Sequence, residues 1–210
     1  MTASTSRWGP GALAPAQGPM SLEDVLSRRR SVRRFTARPL SEDEILRLCW
    51  AAQGITHPAG YRTAPSAGAL HPLDLYVATA EGVAVYDPPH HRLVRRGDDD
   101  LRPAMQWAAF SQAAIGECPT VFVLAAVPAR TAIEYGSRAQ RYVYLEAGHA
   151  TQNLLLDATA RGLGAVPIGA FDDARLREVL DLPGDTDLLY LIPVGEPMAD
   201  PPHAGPPHLP

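Results

Sequence analysis

The segment TVFVLAAV (residues 120–127) carries no charge and places β-branched residues at four of its eight positions. It is apolar at odd and even positions alike and too short for a typical helix. It therefore predicts a strand buried on both faces, central in a sheet. Reading outward toward the C-terminus, residues 139–161 form the longest helical stretch. Val143, Leu145, Ala147, Ala150, Leu154, Leu155 and Ala158 leave it apolar on nearly every side. Such a helix must be buried all round, by its own core or by another subunit. Short strands are expected at Ala165–Ile168 and Leu188–Val194, with a helix over Asp172–Leu180 between them. Toward the N-terminus, Leu73–Ala80 and Val83–Tyr86 read as strands and Leu101–Ala114 as a helix. Ser41-Glu-Asp-Glu44 is a capping box opening a helix whose Ile45, Leu48, Cys49 and Ala52 share one face, and a short helix runs from Ser21 to about Arg29. The pattern is mixed α/β, with helices packed on a mixed or mostly antiparallel sheet.

A chain of 210 residues suits one core. We read residues 21–196 as that domain, residues 1–20 as a flexible lead-in, and 197–210, with six prolines, as an extended tail or arm. The net charge of −4 gives no general attraction to nucleic acid or anionic membranes. All nineteen basic residues are arginine, so no step can use a lysine amine. Cys49 and Cys118 lie far apart and form no CxxC, which points to two reduced thiols. No signal peptide or membrane-length apolar run is present, and the expected location is cytoplasmic.

Three stretches carry candidate chemistry. In Arg28-Arg29-Arg30-Ser31-Val32-Arg33-Arg34-Phe35, five arginines and a hydroxyl gather where a helix ends. Guanidinium forks match phosphate oxygens, so this is a candidate anion site; the competing reading is a solvated basic face. The apolar Val32 and Phe35 favour docking on the core. The second stretch, residues 62–72 (RTAPSAGALHP), is rich in small residues that permit close backbone approach to a flat ligand, or is an ordinary loop entering a strand. The third, residues 162–171 (GLGAVPIGAF), begins like a dinucleotide turn, but Pro167 stands where the third glycine belongs and a helix precedes it. The histidines form no metal-binding pattern, and no hydrolase or P-loop motif is present; a metal site is not expected.

Taken in order, RRSVRRF (29–35), LCWAAQGIT (48–56), RTAPSAGALHPLDLYV (62–77), YVYLEAGHATQNLLL (142–156), GLGAVPIGAFDD (162–173) and LYLIPVGEP (189–197) resemble the FMN-dependent nitroreductase superfamily. The likeness is nearest to SagB-type dehydrogenases of thiazole/oxazole-peptide biosynthesis. It implies an α+β sandwich, a homodimer, and two FMN sites at the subunit interface. By matching position it implies that Arg29, Arg30 and Ser31 hold the FMN phosphate and that Arg33 reaches the pyrimidine edge. Pro65, Ser66, Ala67 and Gly68 would come from the other subunit. Pro167, Ile168, Gly169 and Ala170 would line the flavin face, with the N–H of Gly169 or Ala170 directed at N5.

Two departures accompany the resemblance. Glu196 follows PVG where the family often has a basic residue, which suggests a weaker phosphate site or one rearranged to use Arg138 or Arg141. The Lys-Tyr pair of azoline-oxidising relatives is absent, leaving Tyr135, Tyr142 or Tyr144 as sources of a phenol. The expected activity is hydride transfer between flavin and a small-molecule or peptide-derived substrate, with biosynthetic proteins as candidate partners. The alternatives are NAD(P)H-driven reduction of nitro, quinone or enone compounds, a flavin-free scaffold, and a flavin-storing or flavin-cleaving protein.

Overall fold

The computed structural model describes residues 20–198. Its strands are β1 (Leu73–Thr79), β2 (Gly82–Asp87), β3 (Arg92–Gly97), β4 (Thr120–Ala126), β5 (Gly164–Ala165) and β6 (Asp187–Gly195). They form one six-stranded sheet in the order β3-β2-β1-β4-β6-β5, and every neighbouring pair is antiparallel. The flanking helices are α1 (Leu22–Arg28), α2 (Glu42–Gln53), α3 (Arg102–Ala108), α4 (Ala113–Gly116), α5 (Pro128–Tyr135), α6 (Ala139–Ala160) and α7 (Asp173–Val179). The architecture is α+β, as the resemblance implies.

Every residue of β4 is buried, and its two faces feed two separate cores. Phe122, Leu124 and Ala126 pack with Leu48 and Ala52 of α2 and with Val143, Ala147 and Leu154 of α6. Val121, Val123 and Ala125 pack with Met105 of α3, Ile115 of α4 and Leu176 of α7. A strand that must satisfy both layers cannot alternate in polarity, which explains the continuous apolar run. Removing one such side chain, as in Leu124→Ala, would cost roughly 2–5 kcal/mol.

Local signals act where the sequence places them. The Ser41 hydroxyl accepts the Glu44 N–H at 3.2 Å while the Glu44 carboxylate accepts the Ser41 N–H at 2.8 Å, completing the capping box. Arg38 clamps the same carboxylate from outside with both terminal nitrogens. Residues 34–36 then pair with the chain beyond β6: Thr36 N–H donates to Glu196 O, and Met198 N–H donates to Arg34 O. The ordered ladder thus runs past the expected boundary at 196; the expected lead-in and most of the expected tail lie outside the described residues.

Three readings need correction. The expected helix Leu101–Ala114 is broken into α3 and α4 by Phe110 and Ser111, both left-handed (φ 55° and 59°). The expected strand Ala165–Ile168 is a two-residue strand plus an isolated bridge from Ile168 to Leu191, because Pro193, opposite Val166, has no N–H to return the Val166 bond. Strand β3 and helix α5 have no counterpart in the sequence reading. Strand β3 is an exposed edge containing Arg92, Arg95 and Arg96, so it carries no apolar signal. Within the chain, α6 is buried on one side. Val143, Ala147, Ala150, Leu154 and Ala158 face the core, while Tyr144 (57% exposed) and Leu145 (51%) stand outward with Gly148 and His149.

Candidate functional site

The segment 29–35 is docked by its apolar residues, with its guanidinium groups left outside. Arg29 caps α1, its N–H donating to Val25 O at 2.9 Å. Ser31 then forms a parallel bridge with Ala165, and Val32 N–H donates to Ala165 O at 3.0 Å. The Val32 side chain lies directly over Gly164: a Cβ at residue 164 would meet Val32 Cγ1 at 2.6 Å. Phe35 is buried and packs against Gly195 in the same way. Glycine at 164 is therefore a requirement of this close approach.

The charges that this docking presents are uncompensated. Several arginines elsewhere are paired with carboxylates: Arg92 with Asp87, Arg102 with Asp100, Arg130 with Asp74, Arg161 with Asp157. Among the described residues, Arg29, Arg33 and Arg34 have no carboxylate partner, and the bond printed for Arg30 is from Nε to Arg28 O. Arg30, Ser31 and Arg33 are exposed and Arg29 is half-buried. In an acidic chain, such a group is suited to an anion that the chain itself does not supply.

Glu196 does not spoil this cluster. Its carboxylate accepts the Thr36 hydroxyl at 3.0 Å and lies 3.6 Å from Arg38 Nε, so its charge is met on the far side of Phe35. Within the chain, the suggested substitutes do not join this cluster. Arg138 and Arg141 sit at the start of α6, about 33 Å of helix away from the end that leads to Gly164.

Residues 164–170 continue along the same edge of the sheet. Ile168 exchanges both hydrogen bonds with Leu191, at 2.8 and 2.9 Å. On the other side, Asp172 N–H donates to Ala108 O, and Gln112 Nε2 donates to both Ala109 O and Ala170 O. The loop is thus pinned at both ends. Between the pins, Gly169 and Ala170 are exposed, and among the described residues their N–H groups have no hydrogen-bond acceptor. Gly169 stands beside the Tyr190 ring, which lines a cleft of about 350 Å³ with Tyr144, Asp173 and Asp187. A larger cavity, about 590 Å³, lies at the other end of the sheet between Leu40, Ile45, Val77 and Thr120, and contains none of the expected site residues.

The loop at residues 62–71 enters β1, three strand spacings (about 14 Å) from β5. The structure therefore does not bring Pro65, Ser66, Ala67 and Gly68 onto the 164–170 edge of the same chain. The loop is strained: Gly68, Ala69 and His71 all have positive φ (61°, 53° and 47°). Ser66 Oγ accepts the His71 N–H at 2.9 Å, and Asn153 Nδ2 donates to Thr63 O at 3.1 Å. Gly68 packs on Tyr135, which makes an edge contact with Tyr142 at 4.8 Å between ring centres. Of the suggested phenols, Tyr135 and Tyr142 thus flank this loop, whereas Tyr144 faces the cleft beside Tyr190.

Beneath the loop lies a polar group that the sequence reading missed. Glu146 is 3% exposed, and its Oε1 has no partner. Burial pushes its carboxyl up to about 7, opposed by hydrogen bonding from Ser66 and by the charge of Arg62. Arg62 donates to Gln53 Oε1, and burial lowers its own pKa. Burial also lowers His71, helped by Arg62. The glutamate was legible only as a charge among apolar residues on a helix face destined for the core. The cysteines are inert here: burial pushes both thiols up, Cys118 to about 12.

Residues 26–196 match the Nitroreductase family. The chain belongs to that family of oxidoreductases. It is 42% identical over 182 residues to a candidate nitroreductase of Methanocaldococcus jannaschii, covering 84% of this chain and 91% of that one. A candidate nitroreductase structure from Ralstonia eutropha superposes with a TM-score of 0.79 at 29% identity, covering 90% of this chain and 89% of the other. Two more distant structures share the fold. They are the NADPH:FMN oxidoreductase of Vibrio harveyi (TM-score 0.66, 22% identity, 89% and 74% covered) and a chain of the E. coli microcin synthetase McbBCD complex (0.73, 20%, 94% and 79%). Among the described residues of this nitroreductase-family chain, no helix is long and apolar enough to cross a membrane.

Proposed function

We propose that this protein is an FMN-dependent oxidoreductase that transfers hydride between flavin and a small-molecule or peptide-derived substrate. The observation that carries the reading is the uncompensated group Arg29, Arg30, Ser31 and Arg33, docked through Val32 onto Gly164 at the head of a pinned loop with two free N–H groups. A ligand with a phosphate at one end and a flat polar ring at the other fits that arrangement. Arg29, Arg30 and Ser31 hold the phosphate, Arg33 meets the pyrimidine edge, and Pro167, Ile168, Gly169 and Ala170 line the ring face. The N–H of Gly169 or Ala170 serves the ring nitrogen N5. FMN, when bound, supplies the two-electron chemistry; the chain supplies orientation and charge. Arginine near the ring carbonyls stabilises the anionic reduced form.

The same reading makes the working unit a homodimer. The outward face of α6, with Tyr144, Leu145 and Gly148 uncovered, is the surface for a second subunit. Loop 65–68, remote from the 164–170 edge of its own chain, then serves the partner's site. NAD(P)H as electron donor is supported by the fold shared with the Vibrio harveyi enzyme, whose structure contains NAD+. A SagB-type dehydrogenase role with biosynthetic partners is the second reading. The fold shared with a microcin synthetase subunit favours it, while the lack of lysine weighs against the usual proton-removing pair.

Purified protein soaked in FMN and desalted tests this. Retained flavin absorbance, with NADPH consumed on addition of menadione, supports the reductase direction. Retained flavin that is bleached only by an azoline peptide supports the dehydrogenase. Loss of all flavin on desalting overturns the function.

A further inference from the structure

The face of the sheet that carries α2 and α6 is left open at one end of its strands. Arg95, Ala84, Val77 and Phe122 form one cross-strand row on that face, and Phe122 belongs to the core beneath the two helices. Thr120, two residues before Phe122 on β4, points the same way, because alternate residues of a strand share a face. Opposite it stand Leu40, just before α2, and Ile45, near the start of that helix, and the space between is the cavity of about 590 Å³. Thr120 is 1% exposed, and its Oγ1 has no hydrogen-bond partner. Its backbone is engaged: Thr120 pairs with Val194 of β6, and Thr120 O accepts the Cys118 thiol at 3.2 Å. The hydroxyl alone is unserved, at the base of the cavity. A buried hydroxyl in that state has given up its hydration without a return.

The charge around the cavity says which ligand. Its wall holds two cations, Arg95 and Arg102, and both are already met. Arg95 pairs with Asp98 and donates to Glu81 O at 2.6 Å. Arg102 pairs with Asp100 at 2.7 Å and donates to Cys118 O and Pro119 O. Glu42, Glu81 and Glu117 also border the cavity. All three are exposed, and among the described residues no cation or donor reaches their carboxylates. We propose that this cavity binds an organic monocation: an amine on an apolar body, with a hydrogen-bonding group at the opposite end. The ammonium lies among the three carboxylates, the body rests on Val77 and Ile45, and the far group meets Thr120 Oγ1. A cavity of this volume falls within the range of small-molecule sites. It shares no residue with the 29–35 cluster or the 164–170 loop, so the site stands apart from the flavin reading.

Tyramine is the probe, because it carries a phenol hydroxyl, a ring and an ammonium in line. Calorimetric titration of the full chain compares it with phenethylamine, which lacks the hydroxyl, and with phloretate, which replaces the ammonium by a carboxylate. Wild type is expected to bind tyramine about tenfold more tightly than either analogue at low salt. Thr120→Val is expected to remove only the preference over phenethylamine. Glu42→Gln/Glu81→Gln/Glu117→Gln is expected to remove only the preference over phloretate. The thermal midpoint of Thr120→Val is expected to stay level or rise, since the variant drops an unpaired hydroxyl. A lowered midpoint would mean that the hydroxyl has a partner within the chain and would overturn the proposal. So would no binding of tyramine, equal affinity for the three probes, or preferences that survive in the variants. Saturation with FMN is expected to leave tyramine affinity unchanged; competition between the two would put tyramine in the flavin site and overturn the proposal as well.

Discussion

Glu146 gives a stability prediction whose sign and size follow from its surroundings. The carboxyl is 3% exposed and is pushed from an ordinary 4.5 to about 7, mainly by burial. An acid with a raised folded value favours the protonated form in the native state. Its ionisation therefore costs nothing below about pH 4.5, costs progressively more as pH rises toward 7, and costs its full amount above that. At about 1.4 kcal/mol per pH unit, the displacement corresponds to about 3–4 kcal/mol of lost stability at pH 8. Glu146→Gln removes the charge and keeps an oxygen to accept from Ser66. Urea unfolding of both proteins at pH 5 and pH 8 isolates the effect, because other titrating groups cancel in the difference. The variant is expected to exceed the wild type by about 1 kcal/mol at pH 5 and by about 3–4 kcal/mol at pH 8. A stability difference that is the same at both pH values would refute the claim that this carboxyl is buried at a penalty.

Two further predictions concern the anion site. Gly164→Ala places a Cβ 2.6 Å from Val32, and this overpacking is expected to cost about 1–3 kcal/mol in urea unfolding. Adding Val32→Ala should recover most of that loss, and no recovery would show that the two do not collide. Arg38→Ala leaves Glu196 without its cation, and FMN affinity by fluorescence quenching is expected to fall about two- to fivefold at low salt. An unchanged affinity would show that Glu196 is too remote to matter.

How far the sequence revealed this structure depends on the type of signal involved. The central strand was legible because double-sided burial leaves an unbroken apolar run, and α2 because its capping box is local chemistry. The docking of 29–35 was legible from Val32 and Phe35 among arginines, since apolar residues in a charge run need somewhere to go. Strand β3 was hidden because an exposed edge of arginines gains its place by pairing with β2 alone. The break at Phe110 was hidden because the expected residue for such a turn is glycine. The pairing of Glu196 was hidden because its partner Arg38 is distant in sequence, and the Thr36–Glu196 pairing brings them together. The core face of α6 was legible from its apolar residues, whereas Tyr144, Leu145, Gly148 and His149 lie on the side that the chain itself leaves uncovered.

The central claim is that the 29–33 cluster binds the phosphate end of a flavin. Calorimetric titration with FMN and with riboflavin, which lacks the phosphate, tests it most directly in wild type and in Arg29→Ala/Ser31→Ala. Charge-assisted hydrogen bonds of this kind contribute about 1.5–3 kcal/mol each. The account predicts that wild type binds FMN at least about a hundredfold more tightly than riboflavin, and that the double variant, still folded, loses most of that preference. Equal affinity for the two ligands in wild type, or an undiminished preference in the variant, would contradict it.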